Sequence, residues 1–352
     1  MKKIFYIICI TLALNCNAQQ STSSYIRSSN PDTTDATNDF YDNEKTFEIP
    51  QKSIRIEGEI EKAIDLDFSS LPMRSVIVKE TFLTEDGNKF HGAYRYDGYS
   101  LYDILNHVKI QKKNEEEFPP IIDLYVQIEN DKGEKVNVSW GEIYYPTNLH
   151  EIIIATRVMR IVPTKSKDQW PLPTKSKLVF ANDLLTERNI SSPTKITVKS
   201  YNQSFVTIKG LDPCYSPSIS IFNNDVLIDS IFSYPQGIST NDFHTIFYGR
   251  GRGIHSTMPF NGIFLKELIS KYVEINRHNL REGLILAVGK DGFRGVYSFS
   301  EVMNRNDQSE VLLVYRPDDK RKGVFRLFPA CDFFSDRAVK GLMEIYIAPK
   351  GK

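Results

Sequence analysis

The sequence predicts an α+β protein of two tandem domains, each a mostly antiparallel sheet with a few short helices. Three observations carry that expectation. First, residues 80–108 align without gaps on residues 244–272 at an offset of 164, sharing Thr81/Thr245, Gly87/Gly251, His91/His255, Gly98/Gly262 and Leu101/Leu265. Second, a stretch from Lys177 matches one from Arg326 at an offset of 149, in the same order in both halves. An internal repeat sets the number of units before any local element is assigned. Third, alternating runs bounded by glycine outnumber helix-period runs in each half.

The first unit is read as residues 46–198 and the second as 206–348, joined by the short segment Lys199 to Phe205. Each opens on an alternating run ending in glycine, Ile54 to Gly58 and Val206 to Gly210. A second strand follows, Ser75 to Lys79 and Thr245 to Tyr248, then a glycine-bearing loop. Leu101, Ile104, Leu105 and Val108 then fall on one helical face, as do Leu265, Leu268, Ile269 and Tyr272. Ser100 suits the cap of the first helix and Asp103 its first turn.

Hairpins come next: Leu124–Ile128 returning as Lys135–Ser139, and Leu284–Val288 returning as Gly295–Ser298, each across a glycine turn. Both returns end in a capping-box pattern, Ser139 to Glu142 and Ser298 to Glu301. A strand leading to Arg157 or Arg316, a basic loop and two last strands complete each half.

Composition bounds the function. At 352 residues, 41% hydrophobic and 25% charged, the chain is ordinary globular material. Lys+Arg and Asp+Glu balance at 44 each, so no basic surplus points to nucleic acid. Lys2 and Lys3 precede the apolar run Ile4 to Leu14, so residues 1–18 read as a signal peptide cleaved near Ala18. The alternative is a lipid anchor on Cys16. Either places the protein outside the cytoplasm, periplasmic or secreted, with no transmembrane segment in the mature chain. Residues 19–45, rich in Ser, Thr, Asn and Asp, read as a disordered tether.

The motifs resemble those of the oxidoreductase molybdopterin-binding domain, the sulfite oxidase-like fold, in two copies over almost the whole mature chain. The resemblance rests on Gly58 and Gly210 after the opening strands, on Tyr96-Asp-Gly98 to Leu101 and Phe260-Asn-Gly262 to Leu265, and on Lys177-Leu178 to Asp183 and Arg326-Leu327 to Asp332. It implies that fold and a molybdopterin-type pterin as cofactor. It also implies a cysteine thiolate on the metal, in the loop after the second strand. Here Glu85 and Gly249 occupy that position, and a carboxylate is no substitute for a soft thiolate ligand.

The expected function is therefore a non-redox binding protein for an anionic, pterin- or phosphate-like small molecule, or for an envelope protein. The alternative is an oxidoreductase that keeps its cofactor without the cysteine. The candidate binding residues are Arg250 and Arg252, within the Gly249–Gly253 run whose alternating glycines suit an anion nest, with His255, His91 and Arg316. The same run also reads as a surface loop, and the matched histidines as structural. Basic closing loops (Arg157, Arg160, Lys165, Lys167, Lys175 and Lys177; Arg316, Lys320, Arg321, Lys322 and Arg326) add anion capacity if they converge. Trp170 offers a handle for a partner. Cys214 and Cys331 are either a disulfide or two buried thiols.

Overall fold

In the computed structural model, which describes residues 44–163, 165–251, 253–319 and 324–347, the alternating runs become strands and the helix-period runs become single turns. The signal peptide, the Cys16 anchor and nearly all of the tether lie outside the described residues, as do Arg252, Lys320, Arg321 and Lys322. Strands make up 44% of the structure and helices 12%, in four small sheets laid out like the blades of a four-bladed propeller. The described residues fall in one compact unit. The expected α+β architecture of two sulfite oxidase-like domains is therefore overturned: the protein is mostly β.

The helices explain the discrepancy. Leu101–Leu105 buries Leu101, Ile104 and Leu105, and the Ser100 hydroxyl caps the Asp103 N–H. It then tightens, with the His107 N–H reaching only to the Ile104 carbonyl, so Val108 falls beyond its end. Its counterpart Leu265–Ile269 is as short, and the longest α-helix among the described residues, Arg277–Glu282, has six residues. Such turns persist because one face packs on a sheet. No helix of the described residues is long and apolar enough to cross a membrane.

Each half contributes two sheets with the same strand order. In the first half, Arg74–Thr84, Gly87–Ser100, Ile152–Arg160 and Lys177–Phe180 lie side by side. The second half repeats this with Asn241–Phe243, Phe260–Phe264, Val311–Tyr315 and Phe325–Pro329. The other pair of sheets runs Ile64–Asp67, Ser53–Gly58, Pro193–Ser200, Leu124–Asn130, Lys135–Ser139, repeated as Val226–Ile231, Ile219–Asn223, Leu342–Ile347, Leu284–Gly289, Arg294–Ser298. Both contain one parallel contact, between the opening and closing strands.

That pairing corrects the expected start of the second half. Residues 206–210 form no strand, and Val206 is 82% exposed. The place beside the closing strand is taken by Ile219–Asn223, whose Ile219 and Ile221 are fully buried. A Cβ on Gly58 would meet the Val198 carbonyl oxygen at 2.2 Å, whereas one on Gly210 would meet nothing within 4 Å. The two glycines that looked equivalent have different reasons to exist. Gly98 and Gly262 do match: a Cβ there would strike the Ile154 carbonyl oxygen at 2.1 Å or the Leu313 carbonyl oxygen at 2.6 Å, each on the neighbouring strand.

The halves meet through reciprocal contacts. The Thr147 N–H donates to the Cys331 carbonyl (3.2 Å) and Asn306 to Asn182 (2.9 Å); Phe333 donates to Tyr145 (2.8 Å) and Leu184 to Asn304 (2.7 Å). Under the repeat, at offsets of 159 and 149, each bond is the image of its partner. Residue i touching j while j's image touches i's image is the signature of a two-fold interface, here within one chain.

Candidate functional site

A charged seam lies on this pseudo-two-fold. Arg188 donates to both Asp183 oxygens (2.8 and 2.6 Å), to Glu142 (2.6 and 2.9 Å) and to the Ser298 hydroxyl of the other half (3.2 Å). Its image Arg337 donates to Asp332 (2.8 and 2.7 Å), to Glu301 (2.6 Å) and to the Ser139 hydroxyl (3.4 Å). The serines close the crossing, Ser298 donating to Glu142 (2.6 Å) and Ser139 to Glu301 (2.7 Å). Burial pushes the Asp183 carboxyl up to about 6 against the pull of Arg188, and it pushes Asp332 up against Arg337. Glu301, Cys331 and Asp332 stand close enough together to suggest a metal site, but Arg337 already fills the space between Glu301 and Asp332. The seam is structural: each arginine is held by two acids of its own half and bonded to a serine of the other.

The predicted residues that are described do not all come together: His91 lies in the first half, whereas His255 and Arg316 lie on the packed rings of Phe247 and Phe260 in the second. Glu85 lies with Asp86 at the exposed tip of a tight hairpin, and Gly249 sits against the His255 ring. Neither position holds a cysteine, so the residues present there do not fit a molybdenum–thiolate centre. Cys214 and Cys331 are free thiols: Cys214 is half-buried against the Lys340 carbonyl, and Cys331 is buried beside Asp332. Burial pushes both thiols up, Cys331 the further.

His91 is exposed in the first-half hairpin, with its ring against Phe82 and Tyr94. His255 is exposed against Phe247, and Arg316 lies over the Phe260 ring at 5.7 Å. The basic closing loops are largely neutralised, Arg157 by Glu48, Lys175 by Asp131, Lys177 by Glu80 and Arg326 by Asp319. Trp170 packs in the first half, its indole N–H bonded to the Ile161 carbonyl and its ring against Phe90.

Arg250 reaches an open site. Its backbone N–H and Nε both face Asp336, at 3.4 and 3.1 Å, and its side chain remains 67% exposed. It stands at a groove of about 350 Å³ whose remaining walls come from Leu105, Val108 and Ile121, from Trp140, Tyr144 and Tyr145, and from Phe334 across the seam. Trp140 and Tyr144 stack at 4.6 Å, and Tyr144 donates to the Asn106 side chain. The Trp140 indole N–H is buried and has no hydrogen-bond partner.

The other half is the internal control. The repeat places Ile269, Tyr272, Phe299, Met303 and Leu185 where the groove has Leu105, Val108, Trp140, Tyr144 and Phe334. There Leu185 is buried in one cluster with Ile269, Phe299 and Met303, and Leu83 packs against it. The Leu83 N–H is held by Glu187 at 2.8 Å, as Arg250 is held by Asp336, and Arg277 locks Glu187 in turn at 2.8 Å. One image of the groove is plugged; the other is open with an arginine at its mouth.

Sequence reasoning singled out Arg250 as a binding candidate and Asp183 and Asp332 as repeat positions, but not Arg188, Arg337 or the groove aromatics. The arginines were legible, since both fall at the repeat offset of 149 inside the aligned closing stretch. Trp140, Tyr144 and Tyr145 carried no such signal, because their images Phe299, Met303 and Asn304 are different residues. Comparison of the chain with protein-family models gives no match, and comparison with curated proteins gives none either.

Proposed function

We propose that the protein is an exported binding protein that holds an anionic small molecule in the groove beside Arg250, and that it is not a redox enzyme. The observation behind this reading is the asymmetry of the repeat: equivalent places are plugged by Leu83 and Leu185 in one half and open around Arg250 in the other. A fold that needed both places filled would have filled both. The walls suit a flat heteroaromatic anion of the pterin kind. Its face would lie against aromatic rings, and its negative group would meet Arg250.

Titration of the full chain with pterin-6-carboxylate, followed by tryptophan fluorescence, tests this. Saturable quenching is expected, weakened tenfold or more by Arg250→Glu. Quenching unaffected by Arg250→Glu, or absent from the wild-type chain, would overturn the proposal. So would stoichiometric molybdenum in protein purified from its native source.

A further inference from the structure

A cavity of about 650 Å³ lies apart from the groove, within the size range of small-molecule sites. The joining segment forms one wall, through residues from Lys199 to Ser204. Two carboxylates brace that wall. Glu59 accepts from the Ser200 N–H (2.7 Å), the Ser200 hydroxyl (2.9 Å) and the Lys113 N–H (2.9 Å). Glu117 accepts from the Phe205 N–H (3.0 Å) and the Ser204 hydroxyl (2.9 Å), and pairs with buried Arg294 (3.0 Å). Both fix where the segment runs.

The remaining groups define the ligand. Tyr125 and Tyr201 are each 8% exposed, their rings packed with Leu284 and Tyr346. Among the described residues, neither phenol hydroxyl has a hydrogen-bond partner, and each can both donate and accept. Asn114, also in the lining, gives its amide N–H to Asp123 (3.0 Å). The exposed Asp225 carboxylate also lines the cavity and has no partner among the described residues. Lys199 donates to Gln127 (3.0 Å) and keeps two further N–H groups.

A fully ionised anion only accepts, so it would leave the acceptor capacity of both phenols unused and be repelled by Asp225. A polyhydroxylated ligand supplies donors and acceptors together. We propose that this cavity is a sugar site that takes a short neutral oligosaccharide.

Saturation-transfer NMR and calorimetry on the full chain, with maltotriose, cellotriose and chitotriose as probes and inorganic phosphate as competitor, decide it. At least one trisaccharide should bind. The double variant Tyr125→Phe/Tyr201→Phe keeps both rings and should weaken that binding tenfold or more without shifting the melting temperature. Arg250→Ala should leave it unchanged. The proposal is overturned if none of the three binds, if the double variant binds as wild type, if phosphate displaces the sugar, or if Arg250→Ala abolishes binding. If the double variant melts early, the single Tyr201→Phe replaces it, with the same tenfold criterion against wild type.

Discussion

Removing Arg337 is the most informative perturbation of the seam. Its side chain is fully buried and holds two carboxylates, Asp332 and Glu301, that are equally buried. Arg337→Met keeps most of the apolar volume and leaves both acids without their cation. Breaking a buried pair from one side costs about 3–5 kcal/mol, and here two acids share the loss. The variant can relieve it by taking up protons.

Burial already pushes the Asp332 carboxyl up while Arg337 is present, so it should protonate first. A carboxyl whose pKa is raised in the folded state binds more protons folded than unfolded, so stability falls as pH rises through that window. Between pH 5 and pH 7 each proton so held is worth about 2.7 kcal/mol. Arg337→Met should therefore lose about 4 kcal/mol at pH 7 and about a third of that at pH 5. Urea unfolding followed by far-UV circular dichroism measures both values. Adding Asp332→Asn and Glu301→Gln should recover most of the stability. A loss under about 1 kcal/mol at pH 7, or an equal loss at both pH values, would refute the reasoning.

Other substitutions probe the same framework. Ser139→Ala and Ser298→Ala should each cost about 1–2 kcal/mol, because each hydroxyl bridges an acid and an arginine of the opposite half; very unequal urea midpoints would contradict the mirror relation. Lys177→Met leaves Glu80 buried with only Tyr96 and Asn189, and should cost about 3 kcal/mol, largely restored by Glu80→Gln. Maleimide labelling read by peptide mass spectrometry should modify half-buried Cys214 in the native protein and Cys331 only after unfolding; a peptide linking the two would contradict the free thiols.

The repeat was legible because it rests on backbone demands that survive divergence. Gly98 and Gly262 are both held by a neighbouring strand, and the hairpins at Leu124–Ser139 and Leu284–Ser298 form where alternation and turn glycines place them. The helix content was misread because Leu101, Ile104 and Leu105 satisfy a helical period within a single turn, and three apolar residues cannot report where a helix stops. Val206 to Gly210 misled for a similar reason: three alternating residues and a glycine occur in strands and in exposed loops alike. Of the candidate site, Arg250 was visible in the Gly-Arg run. The groove was not, because its walls combine residues far apart in sequence.

The seam and the groove also show where the two halves were free to diverge. At the seam a change in one half meets a partner in the other: Arg188 needs Ser298, and Arg337 needs Ser139. Both halves keep the same acid, arginine and serine. The hairpin tips carry no such reciprocal demand. The first is continuous through Glu85 and Asp86 and delivers Leu83 to the opposite core. The second breaks after Phe243 into a separate two-stranded ribbon, Phe247–Gly249 with Gly253–Ser256, and delivers Arg250 to a groove it does not fill. Burying a leucine stabilises a fold, whereas an arginine left 67% exposed over a hollow contributes little to stability. Within one chain, the corresponding hairpin packs a leucine in one half and presents an arginine to an open groove in the other.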